Sequence, residues 1–145
     1  MKFMLIVKSN AACESGKMPS EELIAAMGKF NEEMMKAGVL VDLSGLHPSS
    51  KGARVHFSGG KRTVTDGPFA ETKELIGGYW IINVKSREEA IEWALRAPAP
   101  HGETEESEIE IRQFFELDEF APSEAIQSAR ELEKDLVAAQ QGGRR

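Results

Sequence analysis

The chain is expected to fold as an α+β domain in which two helices cross one antiparallel sheet, with a β-hairpin inserted between the second and third core strands. Three observations carry this expectation. Short apolar runs rich in β-branched and aromatic residues recur at Lys2–Lys8, Val39–Leu46, Gly78–Lys85 and Glu108–Leu117. Two capped, amphipathic segments separate them in the order strand, helix, strand. A glycine turn, Ser58-Gly59-Gly60-Lys61, joins two shorter strands at Ala53–Phe57 and Arg62–Thr65.

In the first strand Phe3, Leu5 and Val7 alternate with Met4 and Ile6, so both faces are apolar and the strand belongs in the middle of a sheet. Asn10–Pro19 reads as a polar loop. Ser20 then caps a helix over Glu21–Ala37, with Glu21 and Glu22 at the positive end of its dipole. Leu23, Met27, Phe30 and Met34 form its apolar stripe, and Gly38 stops it. The second strand ends at His47-Pro48. In the hairpin, Gly59-Gly60-Lys61 lacks the earlier glycine and the following helix of a phosphate loop, which excludes that motif.

The run Asp66-Gly67-Pro68-Phe69 reads as a turn: Asp66 closes it, Pro68 fixes φ, and Phe69 anchors it. Ala70–Leu75 reads as one helical turn. In the next strand Tyr79, Ile81 and Asn83 point to one face, and Trp80, Ile82 and Val84 to the other. Ser86 and Glu89 form a capping box for the second helix, whose buried stripe is Ala90, Ile91, Ala94 and Leu95 and which stops near Pro98. The last strand carries Ile109, Ile111 and Phe115. Pro122-Ser123 opens a further helix to about Ala138, with Ile126, Ala129, Leu132 and Leu136 on one side and a disordered tail over Ala139–Arg145. The domain is thus expected over 1–117, and the helical extension over 118–145.

This order is the ferredoxin-like βαββαβ arrangement with both helices on one face. The second apolar face then needs cover, so a homodimer joined through the sheet face away from the helices is expected. At 145 residues, 41% hydrophobic and 29% charged, the chain suits a single globular domain. The apolar start Phe3–Val7 is too short for a signal core or a membrane span, so the expectation is a cytoplasmic protein with no membrane partner. Cys13 is the single cysteine, and no His or Cys pair has metal-site spacing, so neither a metal nor a cofactor is expected.

Residues 103–135 carry 12 acidic against 3 basic side chains, a balance that repels phosphate backbones and argues against nucleic acid as a partner. Lys51, Arg54, Lys61, Arg62 and Lys73 make residues 51–73 locally basic, a solvated stripe or, beside a pocket, an attraction for a small anionic ligand.

The run from Asp66 to Glu74, followed by Gly77-Gly78-Tyr79-Trp80, resembles the signature of the YCII-related family, in its DGPF-domain subgroup, and the resemblance covers about Met1–Leu117. It implies a dimeric α+β barrel, as in muconolactone-isomerase-like proteins. Some family members have a proposed His–Asp pair, and DGPF proteins are often associated with extracytoplasmic-function sigma factors. His47 and Asp66 flank the inserted hairpin at one end of the sheet. They are therefore the candidate catalytic pair, His47 as general base and Asp66 as its orienting carboxylate. The structural alternative is a capping His47 and a turn-forming Asp66.

Arg112, with Glu110 holding it, lies opposite Ile109 and Ile111 and is the candidate for a substrate carboxylate or phosphate. Tyr79 and Trp80 are candidates for stacking on a ligand or for the core. His56 and His101 read as surface residues, and Cys13 has no neighbouring base to make it a nucleophile. Two functions follow. One is a cofactor-independent lyase or isomerase acting on a small anionic organic molecule in the barrel cleft. The other is a non-catalytic small-ligand-binding or regulatory module linked to sigma-factor signalling.

Overall fold

A computed structural model describes residues 1–142. Its elements are β1 (Lys2–Lys8), α1 (Ala11–Glu14), α2 (Glu21–Lys36), β2 (Leu40–Gly45), β3 (Ala53–Ser58), β4 (Lys61–Asp66), β5 (Ile76–Asn83), α3 (Arg87–Arg96), β6 (Ile109–Gln113) and α4 (Glu124–Gly142). The chain divides after Gln113 into two units. Among the described residues no helix is long and apolar enough to cross a membrane.

The first unit is built on a four-stranded antiparallel sheet in the order β2-β5-β1-β6, the strand order of a ferredoxin-like βαββαβ domain; β3 and β4 form a separate two-stranded sheet. Paired residues share a face, so the register sorts the side chains into rows. On one face the rows Leu43–Trp80–Leu5–Ile111 and Gly45–Gly78–Val7–Ile109 lie side by side. On the other are Ser44–Tyr79–Ile6–Glu110 and Asp42–Ile81–Met4–Arg112.

The core forms where α2 and α3 cover the first of these faces: Phe30, Met34, Ala90 and Trp93 pack with Phe3, Leu5, Trp80 and Ile82. Phe30 meets Trp80 edge-on, with ring centroids 5.5 Å apart, a favoured aromatic geometry. Ser20 accepts from the Leu23 N–H and Ser86 from the Glu89 N–H, so both helices begin where their caps place them. The hairpin turns through Gly59 and Gly60 at φ 57° and 78°, a pair of left-handed residues that matches the twist of the flanking strands.

Several local expectations are corrected. Asn10 accepts from the Cys13 N–H and nucleates the short helix α1, where the sequence reads as loop throughout. Ala70–Leu75 holds isolated turns closed by Thr72 and Glu74 N–H groups, not a helical turn. On α3 Trp93 is buried and Leu95 is 80% exposed, because Trp93 lies one turn from Ala90 on the sheet side while Leu95 points away. β6 stops at Gln113, four residues before the expected end.

In the C-terminal unit, Leu117–Glu119 forms a 3-10 turn and Ser123 caps α4 by accepting from the Ile126 N–H. Ile126 and Ala129 are half-buried, and Leu132 and Leu136 are exposed. The helix runs on through Ala139–Gly142, where the sequence reads as tail; residues 143–145 lie outside the described residues.

Candidate functional site

The Asp66–Phe69 turn is fastened to the segment after β2. Gly67 donates its N–H to the Gly52 carbonyl at 3.0 Å, and Phe69 donates its N–H to Ser49 Oγ at 3.0 Å. Ser49 in turn donates its N–H and its hydroxyl to the Glu14 carboxylate. A Cβ at Gly67 would stand 1.8 Å from the Ser49 carbonyl oxygen, so only glycine fits this approach. The Gly67–Pro68 peptide bond is cis. Arg54 stacks over the Phe69 ring at 3.8 Å and pairs with Glu71 at 3.5 Å.

The six candidate residues fall in three places. His47 and Asp66 flank this junction, His47 two residues before Ser49 and Asp66 next to Gly67; both are exposed. No hydrogen bond or ion pair joins them among the described residues. Tyr79, Glu110 and Arg112 share the sheet face turned away from α2 and α3. There Arg112 and Lys8 both lie 3.4 Å from the Glu110 carboxylate. The Arg112 hydrogen bond, followed by the Lys8 charge, holds the Glu110 carboxyl below the ordinary glutamate range. Trp80 is buried on the opposite face, so its side chain and that of Tyr79 do not point to one side of the sheet.

Two readings of single residues are corrected. His101 is half-buried, with Nε2 at 2.8 Å from the Lys8 carbonyl and Nδ1 at 3.6 Å from Cys13 Sγ. A carbonyl only accepts, so Nε2 donates and Nδ1 is left as the acceptor facing the thiol. Cys13 therefore has an imidazole beside it, brought from 88 positions away.

A cleft of about 450 Å³ opens on the helix side of the sheet. Its floor is the region of Leu43, Gly45, Gly78 and Trp80, and its roof is the α2 face of Leu23, Ile24, Met27, Gly28 and Asn31. The cavity exists because Gly45 and Gly78 are neighbours across β2 and β5, so one row of the sheet has no side chains where α2 passes over it. A Cβ at Gly45 or at Gly28 would meet nothing within 4 Å. Among the described residues the walls carry no charged side chain. At the floor, Trp80 Nε1–H donates to Asn31 Oδ1 at 2.7 Å. Of the cleft residues, the sequence offers Tyr79 and Trp80 as ligand candidates, Leu23 and Met27 as an apolar helix stripe, and Gly77-Gly78 as part of the signature. Asn31 four residues after Met27, on the edge of an otherwise apolar stripe, and Gly28 in mid-helix were the available signals.

Fold and site together define a ferredoxin-like α+β domain with an inserted hairpin and an intradomain apolar cleft. The model of the YCII-related domain matches residues 1–115, and the chain belongs to the YCII-related family. It is also similar to an uncharacterised protein of Rhizobium meliloti (strain 1021), 33% identical over 78 residues. That match covers 54% of this chain and 63% of the relative, less than two thirds of the relative's length.

Proposed function

We propose that the protein is a small-ligand-binding member of the DGPF subgroup and that the cleft between α2 and the β2–β5 edge holds a small, largely apolar organic molecule. The carrying observation is the paired Gly45–Gly78 hollow beneath α2, walled by apolar side chains with one polar pair at its floor. Such a concave, mostly apolar space with a few fixed polar groups is the usual form of a small-molecule site. A homodimer through the other sheet face fits this reading, because it covers Met4, Tyr79 and Ile81 while leaving the cleft free.

The test is to fill the space. Gly45→Val suits an edge strand, and Gly28→Leu replaces a poor helix former by a good one. Both variants should fold with unchanged or raised stability and lose at least tenfold in affinity for the apolar compounds that the wild type binds. Full binding by both would place the ligand elsewhere.

A second reading is a cofactor-independent lyase or isomerase in which Asp66 and His47 move a proton and Arg112 orients an anionic substrate. Its support is the Ser49 junction, which draws the two flanking segments together. Deuterium exchange from solvent into small organic acids, abolished by Asp66→Asn, would establish it. Exchange at the uncatalysed rate in the wild type would remove it.

A further inference from the structure

We infer that the ligand of the cleft is an uncharged apolar molecule carrying one hydrogen-bond acceptor, such as an aryl ketone, and that Asn31 recognises that acceptor; this rests on the cleft being the binding site. The argument starts from the Trp80–Asn31 bond. An indole N–H can only donate, so the Asn31 amide must turn its oxygen to Trp80 Nε1, 2.7 Å away. The amide NH2 then points away from Trp80. It has no hydrogen-bond partner among the described residues and is open to solvent, on a residue that lines the cleft. Trp80 has spent its donor on Asn31, so the Asn31 NH2 is the donor the floor offers.

Charge decides the rest. Among the described residues no lysine, arginine or histidine lines the cleft, so a carboxylate or phosphate entering it would lose its hydration without meeting a cation from them. The basic side chains of residues 51–73 are not among the lining groups: Arg54 lies on Phe69 and Arg62 on Phe57. A ligand whose polar group is only a donor would meet the Asn31 NH2 donor to donor. A carbonyl on an apolar frame satisfies the amide and leaves the remaining surface to Leu23, Met27 and Leu43. The space of about 450 Å³ admits a two-ring frame.

Calorimetry with three matched probes tests this: 2-acetylnaphthalene, 2-ethylnaphthalene and 2-naphthoate. The ketone should bind about fivefold tighter than the hydrocarbon, the worth of one net hydrogen bond. The carboxylate should bind at least about tenfold weaker than the ketone, from the cost of an unpaired buried charge. Asn31→Asp keeps an acceptor for Trp80 and removes the donor, so it should abolish the preference for ketone over hydrocarbon while the hydrocarbon still binds. Equal binding of ketone and hydrocarbon, tightest binding of the naphthoate, or an unchanged preference in Asn31→Asp would overturn the assignment while the hydrocarbon still shows a filled cleft. Binding of none of the three would overturn the cleft reading itself, and the inference with it.

Discussion

Replacing Gly67 by alanine should detach the hairpin from the domain while leaving the core folded. The added Cβ would lie 1.8 Å from the Ser49 carbonyl oxygen and 2.6 Å from its carbon, both backbone atoms that cannot rotate aside. Either Ser49 or the turn must move, which breaks the Gly67 N–H to Gly52 bond and the Phe69 N–H to Ser49 Oγ bond. Two such bonds contribute about 0.5–1.5 kcal/mol each, and steric overpacking adds roughly 1–3 kcal/mol. Every residue from 53 to 66 is exposed, so little of this penalty reaches the core, and opening is local. Hydrogen exchange of the β3–β4 ladder should accelerate at least about 30-fold, the equivalent of 2 kcal/mol. Denaturation followed by tryptophan fluorescence, which reads the buried Trp80 and Trp93, should shift by less than about 1 kcal/mol. Unchanged hairpin protection would refute the anchoring role of the Gly67–Ser49 contact. A core shift of the full amount would refute the independence of the hairpin.

Two further expectations concern the far face of the sheet and the C-terminal unit. The Glu110 carboxyl, lowered by the Arg112 hydrogen bond and the Lys8 charge, should titrate by NMR below a free glutamate and rise toward it in Arg112→Leu. The stability it contributes is complete above the ordinary glutamate range and is lost as pH falls through the lowered value, so the wild type and Arg112→Leu should converge in stability at acid pH. A chain ending at Gln113 keeps every buried hydrophobic residue and should still unfold cooperatively in denaturant; a gradual transition would show that the domain needs residues beyond it.

Much of this architecture was legible because it is local. The α2 stripe of Leu23, Met27, Phe30 and Met34 repeats on one face, and the alternation in β1 and β5 sets which side chains reach the core. The placement of Glu110 and Arg112 opposite Ile109 and Ile111 follows from the same period of two. On α3, hydropathy favours Leu95, but the ten-residue helix meets the sheet through Ala90 and Trp93, and only packing reveals that. The features missed depend on partners distant in sequence. His101 meets Cys13 across 88 positions, and no local pattern announces it. The cleft arises from the register that sets Gly45 beside Gly78, and from the passage of Gly28 above them. Each glycine is visible in the sequence, but their alignment is a property of strand pairing.

The most direct test of the central claim is to map 2-acetylnaphthalene on the protein by NMR. The expected result is that shifts concentrate on the Trp80 indole N–H, the Asn31 side-chain amide and the backbone amides of Gly28, Gly45 and Gly78. Shifts gathered instead at Gly67 and Phe69, or at Glu110 and Arg112, would contradict the account and move the site to the hairpin junction or the far face of the sheet.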